Sequence, residues 1–252
     1  MEMIDILLNR VSLRKFKDKQ VSKEDKDLIL KSMFQAPTAG NMQLYSIIDV
    51  TDQSVKDKLS VSCDDQPFIK KAPLVFIIVA DMKKWYDYYL YNGCKEYCEK
   101  MNLEWNTPSE AELMLAIEDA MCASQNGCIA AESLGIGSCY IGDILENYEY
   151  HKELLNLPKY VFPISMLVFG YYPDNYPKTP RRRFDPKFMV FENEYKELSK
   201  TEISEMFSPR EKFTDNPYEA ENYAQMFYAR KSNSDFMREM IRSVKEMLIE
   251  YK

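Results

Sequence analysis

The ten residues GIGSCYIGDI (135–144) decide which nucleotide-binding folds this chain can adopt. The dinucleotide fingerprint G-x-G-x-x-G needs glycine at 140, where the chain has Tyr140. It also needs a strand before the first glycine and a helix after the last, whereas this glycine pair ends a long helical pattern. The phosphate-loop template fits Gly137 and Gly142 but then requires lysine, and the chain supplies Asp143, of the wrong sign for phosphate. Neither a doubly wound dinucleotide fold nor an ATP site is supported. Gly135 suits a helix C′ position, and Gly142 suits a close backbone approach to a ligand.

Upstream, Ser109 with Glu112 opens a helix that runs to about Leu134. Ala116, Ala120, Ala123, Gly127, Ala130 and Leu134 recur along it at spacings of 4, 3, 4, 3 and 4. A seam of small residues lets another helix approach closely, either in this chain's core or across a subunit interface. Further out, APLVFIIVA (72–80) is the longest apolar run, about half of the ~20 residues a membrane span needs. It reads as a strand covered on both faces. YSIIDV (45–50), VFPISMLVFG (161–170) and FMVFEN (188–193) read as further strands. Helices are expected at 2–9, after the Ser22–Asp25 capping box, at 52–62, through HKELLNLP and twice within about 217–250. The Tyr- and Trp-rich stretch at about 83–108 reads as a helical insertion or lid. Strands and helices without regular alternation imply an α+β fold, in one domain over 1–252.

Composition narrows the function. The 252 residues carry 40 acidic and 33 basic side chains, a net charge of −7. That balance argues against nucleic acid and anionic membranes as partners. MEMIDILLNR has an acid where a signal peptide has its basic region, and the six scattered cysteines read as reduced cytosolic thiols, so a cytoplasmic location is expected. Cys94 and Cys98 stand one helical turn apart without a second ligand pair, so no metal site is expected. The single histidine, His151, lies in the polar setting EYHKELL and is expected on a helix surface. With neither triad nor metal, an enzyme here would take its chemistry from a bound cofactor. RVSLRKF (10–16) reads either as a solvated charge run or as an anion site: Arg10, Ser12 and Arg14 alternate with Val11 and Leu13, so an extended segment would align two guanidiniums and a hydroxyl. Val11 and Leu13 then face the core and Lys15 the surface.

RVSLR, APTAGNMQ (36–43), AAESLGIGSCYIGDI (130–144) and LPKYVFPISMLVFGYYPDNYPKTPR (157–181), in that order, resemble the nitroreductase and flavin reductase family. The run through VFENEY and YAQMFYARKSN (223–233) resembles its NADPH-preferring, oxygen-insensitive branch. The resemblance implies a nitroreductase-like mixed sheet flanked by helices, in an intertwined homodimer with one FMN at each of two sites on the interface. It turns the small-residue seam toward the interface reading. It implies ping-pong hydride transfer from NADPH or NADH to flavin and then to a nitroaromatic, quinone or flavin acceptor, with no catalytic side chain beyond the flavin. A second reading, sharing every flavin contact, is an FMN-binding carrier or redox partner with little turnover.

Carried over residue by residue, Arg10, Ser12 and Arg14 match the phosphate and ribityl contacts. Two forked guanidiniums suit a dianion. Thr38, Ala39, Asn41 and Gln43 match a loop that edges the flavin from the other subunit. Gln66 matches an amide at the ring's pyrimidine end, and Ile141 and Gly142 match the stretch lying against the ring. Arg181 matches an arginine that closes on the phosphate, with Lys178 or Arg183 as helpers, while Thr179 stands where relatives often carry lysine. Arg230 matches a residue that holds the NADPH phosphates. The second basic residue expected there is Asp235, with Lys231 as its substitute.

Overall fold

The computed structural model describes residues 2–211 and 216–251. Capping chemistry sets its helix starts. After α1 (Met3–Asn9), Ser22 accepts the Asp25 N–H at 3.0 Å and opens α2 (Lys23–Phe34). The polar loop leads to β1 (Tyr45–Asp49), Asp52 caps α3 (Gln53–Ser62), and Pro67 begins α4 (Pro67–Lys70) ahead of β2 (Leu74–Asp81). The Tyr-rich excursion is two short helices, α5 (Lys83–Tyr91) and α6 (Cys94–Met101), separated by Gly93 at φ 68°. The capping box of Ser109 and Glu112 opens α7 (Glu110–Ser133). Then follow β3 (Ile136–Ile141), α8 (Tyr148–Leu154) and β4 (Val161–Tyr171). The last helices are α9 (Lys200–Phe207), α10 (Tyr223–Phe227) and α11 (Asp235–Ile249).

The chain parts into two units, 1–179 with 239–252, and 180–238. The first is built on one sheet of order β1-β2-β4-β3. Its three ladders are antiparallel, and the parallel pairing that makes it mixed is a single bridge, Ser12 to Ser138. Every residue of β2 is buried because the strand is covered twice. Val75, Ile77 and Val79 face a core shared with Leu59, Ile69, Ile141 and Met166. Leu74, Phe76 and Ile78 face Met33, Ala120, Ala123, Leu167 and Phe169 on the other side. The period of two thus divides one apolar run between two layers, each fully buried Val, Ile or Phe contributing about 1.5–3 kcal/mol.

Four expectations are corrected. The small-residue seam of α7 is core, since Ala116, Ala120, Ala123 and Gly127 are buried and a Cβ on Gly127 would come 2.8 Å from Met33 Cγ of α2. The opposite face of α7 carries the exposed Met114, Leu115 and Met121. FMVFEN forms no strand: Val190 N–H closes a turn on Pro186 O, Asn193 lies at φ 63°, and Met189 and Val190 are exposed. Residues 136–141, read only as glycine-rich, are instead strand β3. His151 is fully buried, between the Ser62 hydroxyl and the Ile144 carbonyl.

Gly137 of β3 and Gly170 of β4 are register partners. A Cβ on Gly137 would meet Leu13 at 2.7 Å, and one on Gly170 would meet Phe16 at 2.5 Å. The paired glycines therefore form the floor on which the N-terminal segment lies, with Leu13 N–H donating to Ser138 O at 2.9 Å. Leu13 is buried, Val11 half-buried and Lys15 exposed. Gly137→Val should cost about 1–3 kcal/mol of overpacking, read as a lower urea midpoint. Gly142→Ala is the control, because its φ of −80° suits any residue and nothing lies within 4 Å of the added Cβ. Equal stability of the two variants would contradict the glycine floor.

Candidate functional site

The N-terminal segment, held beside β3, brings Arg10 and Arg14 to one sheet edge. Both guanidiniums oppose the upward push that burial gives the Cys139 thiol. Of the chain's nine arginines, only Arg238 and Arg242 sit in ion pairs among the described residues. Arg10 Nε is buried without a hydrogen-bond partner, as is Ser138 Oγ at the same edge. An unpartnered buried donor of this kind costs roughly 1–3 kcal/mol. Two unpaired guanidiniums in an acidic chain, one with a stranded N–H, fit an anionic ligand. Arg14 also stands 6.0 Å from the Phe68 ring, which ties the segment to α4 and to Gln66 before it.

Gln66 is held on all sides. Its backbone N–H donates to Ser60 O at 2.8 Å, and its carbonyl accepts from Ser60 Oγ at 2.9 Å. Its Nε2 donates to Cys63 O at 2.8 Å and to Asp143 Oδ2 at 2.9 Å. The turn before it passes through Asp64 and Asp65, both left-handed at φ 59° and 46°, a conformation Asp tolerates better than most residues. Gly142, exposed, separates β3 from the turn Asp143–Leu145. Ile141 is buried in the core, so only its backbone is available to a ligand.

Beneath this turn lies a buried polar group that the sequence reading did not find. His151 donates from Nδ1 to the Ile144 carbonyl, 3.0 Å away, and burial lowers its pKa, so Nε2 is left to accept from Ser62 Oγ at 2.8 Å. Asn147 Nδ2 donates to Ser62 O at 2.9 Å, and the Asn147 N–H reaches Glu239 of α11 at 3.1 Å. Glu146 is 5% exposed and its Oε1 has no partner. Burial, then the negative charges of Asp143 and Asp64, push its carboxyl up to about 8.

The loop Thr38–Gln43 lies elsewhere. Asp119, buried on α7, accepts from Thr38 Oγ1 (2.5 Å), Ala39 N (2.9 Å) and Leu44 N (3.1 Å). Thr38 Oγ1 accepts in turn from Gln43 N at 2.8 Å. Asn41 and Gln43 are exposed and left-handed, at φ 58° and 51°. This loop enters β1, whereas Arg10–Arg14 flanks β3 at the opposite sheet edge. Three strand spacings, roughly 14 Å, separate the two edges.

Lys178 is engaged by buried Glu132 at 2.5 Å and lies 3.8 Å over the Tyr172 ring, which leaves it a poor phosphate helper. The second unit holds Arg181 and Arg183, exposed beside a cavity of about 690 Å³ that Arg182, Arg210 and Phe184 also line. Arg230 is exposed in the turn Tyr228–Ser232, and Asp235 is held by Arg238. Sequence reasoning missed Asp119, Asp143 and Glu146. An acidic residue interrupting the apolar run of α7 was the one available signal.

Residues 7–171 match the nitroreductase family. The FMN reductase (NADPH) of Bacillus subtilis is 36% identical over 193 residues, covering 76% of this chain and 74% of that protein. The oxygen-insensitive NADPH nitroreductase of Salmonella typhimurium is 30% identical over 195 residues, 77% of this chain and 75% of that one. Among solved structures, B. megaterium NfrA2 superposes with a TM-score of 0.74 at 28% identity, over 99% of this chain and 96% of that one. Among the described residues no helix is long and apolar enough to cross a membrane.

The Glu146 carboxyl carries a pH signature. The folded state keeps a proton that the unfolded chain has lost between pH 4.5 and about 8. Stability is therefore full below that window and declines as pH rises through it, at up to about 1.4 kcal/mol per pH unit. Urea unfolding at pH 6.8 and 8 should show this loss in the wild type and a smaller one in Glu146→Gln. An identical decline in both would place the titration elsewhere.

Proposed function

We infer the function from one premise: this chain belongs to the nitroreductase family. It is an FMN-dependent NAD(P)H oxidoreductase whose acceptors are nitroaromatics, quinones or free flavin. The observation that carries the reading is the edge where, among the described residues, Arg10 and Arg14 stand without a carboxylate and Arg10 Nε is buried without a partner. When bound, FMN would supply the redox chemistry, hydride transfer between NAD(P)H and an acceptor.

The chain's own groups bind and orient. Arg10 and Arg14, with Ser12, hold the phosphate, each cation at 4 Å contributing about 1 kcal/mol in water and about 4 at an effective dielectric of 20. Gln66 meets the pyrimidine end of the ring, and Gly142 offers backbone where a side chain would obstruct. In the second unit Arg181 offers an exposed guanidinium to a phosphate, and Arg230, exposed and outside any ion pair among the described residues, offers one to the phosphates of a nicotinamide cofactor.

The loop Thr38–Gln43 serves the site of a second copy of the chain. Its position on the far sheet edge from Arg10 and Arg14 supports that division. So does the exposed apolar face of Met114, Leu115 and Met121 on α7, beside α1 with its exposed Met3, Ile4 and Leu8. Such a face on a central helix marks an interface between copies. A cytoplasmic location belongs to the same reading, supported by six unpaired cysteines.

Mixing the purified holoprotein anaerobically with NADPH, then NADH, should bleach the flavin absorbance with at least one donor. No bleaching with either would leave an FMN carrier in place of an enzyme. Arg14→Ala should weaken FMN binding about ten- to a hundredfold, the loss of one charge-assisted hydrogen bond. Undiminished FMN occupancy in that variant would remove the phosphate assignment.

A further inference from the structure

Two acids next to the glycine turn, Asp143 and Glu146, remain unused by the reading above, and the Gln66 amide that the reading places at the pyrimidine edge is held by one of them. The Gln66 amide is the informative one. Both Nε2 hydrogens are committed, one to the Cys63 carbonyl and one to Asp143 Oδ2. A peptide carbonyl and a carboxylate are acceptors only. Turning the amide over would set Oε1 against two oxygens, at 2.8 and 2.9 Å, that have no hydrogen to give. The orientation is therefore fixed by chemistry, and Oε1 is left as the group without a partner among the described residues.

The backbone on either side is equally constrained. Ser60 grips the Gln66 peptide from both N–H and carbonyl, and Ile69 N–H donates to the same carbonyl at 3.1 Å. Asp143 begins its own turn, where Glu146 N–H closes on Asp143 O at 3.1 Å. Glu146, almost fully buried beside Asp143, is pushed toward keeping its proton by burial and by the neighbouring carboxylates. Asp143 Oδ2 accepts from Gln66 Nε2 at 2.9 Å.

We propose that Asp143 is a positioning residue for the flavin's pyrimidine edge: it holds the Gln66 amide so that the chain offers Oε1, an acceptor and not a donor, to the imide N–H of bound FMN. The inference rests on the flavin reading of the preceding subsection and specifies one contact within it. It makes the site selective for ring systems with an N–H at that position. An N-alkylated flavin, which has no hydrogen to give, would face an unsatisfied oxygen.

The test exchanges charge between the two side chains and reads the FMN dissociation constant by flavin fluorescence. Gln66→Glu places two carboxylates and a carbonyl together and should raise Kd at least tenfold. Asp143→Asn alone keeps an acceptor oxygen for Gln66 and should stay within about threefold. In the double variant the amide introduced at position 143 can donate to the carboxylate introduced at position 66. The second oxygen of that carboxylate again accepts, while the Cys63 carbonyl still faces an oxygen, so Kd should recover at least about threefold from Gln66→Glu without reaching wild type. A double variant no tighter than Gln66→Glu alone would overturn the proposal, because a purely structural role gives additive losses. If Gln66→Glu does not accumulate folded, Asp143→Leu takes its place. It should weaken FMN about tenfold with Gln66 present and by less than twofold on a Gln66→Ala background. Equal losses on both backgrounds would equally overturn the proposal. A wild type that binds no FMN would instead end the flavin reading and this inference together.

Discussion

The missing side chains at Gly137 and Gly170 are the constraint on which the rest of the site depends. Two glycines face each other across neighbouring strands, and Leu13 and Phe16 occupy the volume that Cβ atoms would need. That seating lets the segment pair with β3 through Ser12 and Ser138, and pairing fixes which way alternate residues face. Leu13 goes inward, while Arg10 and Arg14 are left at the edge without carboxylate partners among the described residues. The paired glycines leave room for this segment to dock, which supports the proposal that its two arginines form an anion site.

Much of this was legible in the sequence. The capping boxes at Ser22 and Ser109, the doubly covered strand at 74–81 and the alternating arginines follow from local rules, since each depends on residues close in the chain. The failures are those where the deciding partner is distant. GIGSCYIGDI reads only as a glycine-rich stretch until Leu13 is placed on Gly137, which hides β3. His151 has polar sequence neighbours, yet its burial is set by Ser62 and Ile144. The seam of α7 has the same spacing whether α2 or a second chain packs on it, so periodicity could not choose between them. FMVFEN has strand composition, but an early turn and a left-handed Asn193 leave it no ladder to join.

Two acids, Asp119 buried and Asp143 half-buried, form a second level of organisation beside the residues proposed to meet a ligand. Asp119 gathers the 38–44 loop with three hydrogen bonds, and Asp143 sets the amide of Gln66. Each is one carboxylate whose acceptor capacity is spent on positioning a loop. Such residues carry no motif, because what selects them is the set of donors that folding brings to them.

The Thr38–Gln43 loop and the Arg10–Arg14 segment lie on opposite edges of one sheet, which supports the proposal that a complete site draws on both, one from each of two chains. The direct test is FMN stoichiometry in a tandem-purified heterodimer of one Arg14→Ala chain and one Asn41→Trp chain. One site then carries both defects and the other carries none. The expected result is about one FMN per pair of chains, while homodimers of either variant bind little. Heterodimers as empty as both homodimers would contradict the shared site, placing all of it within a single chain.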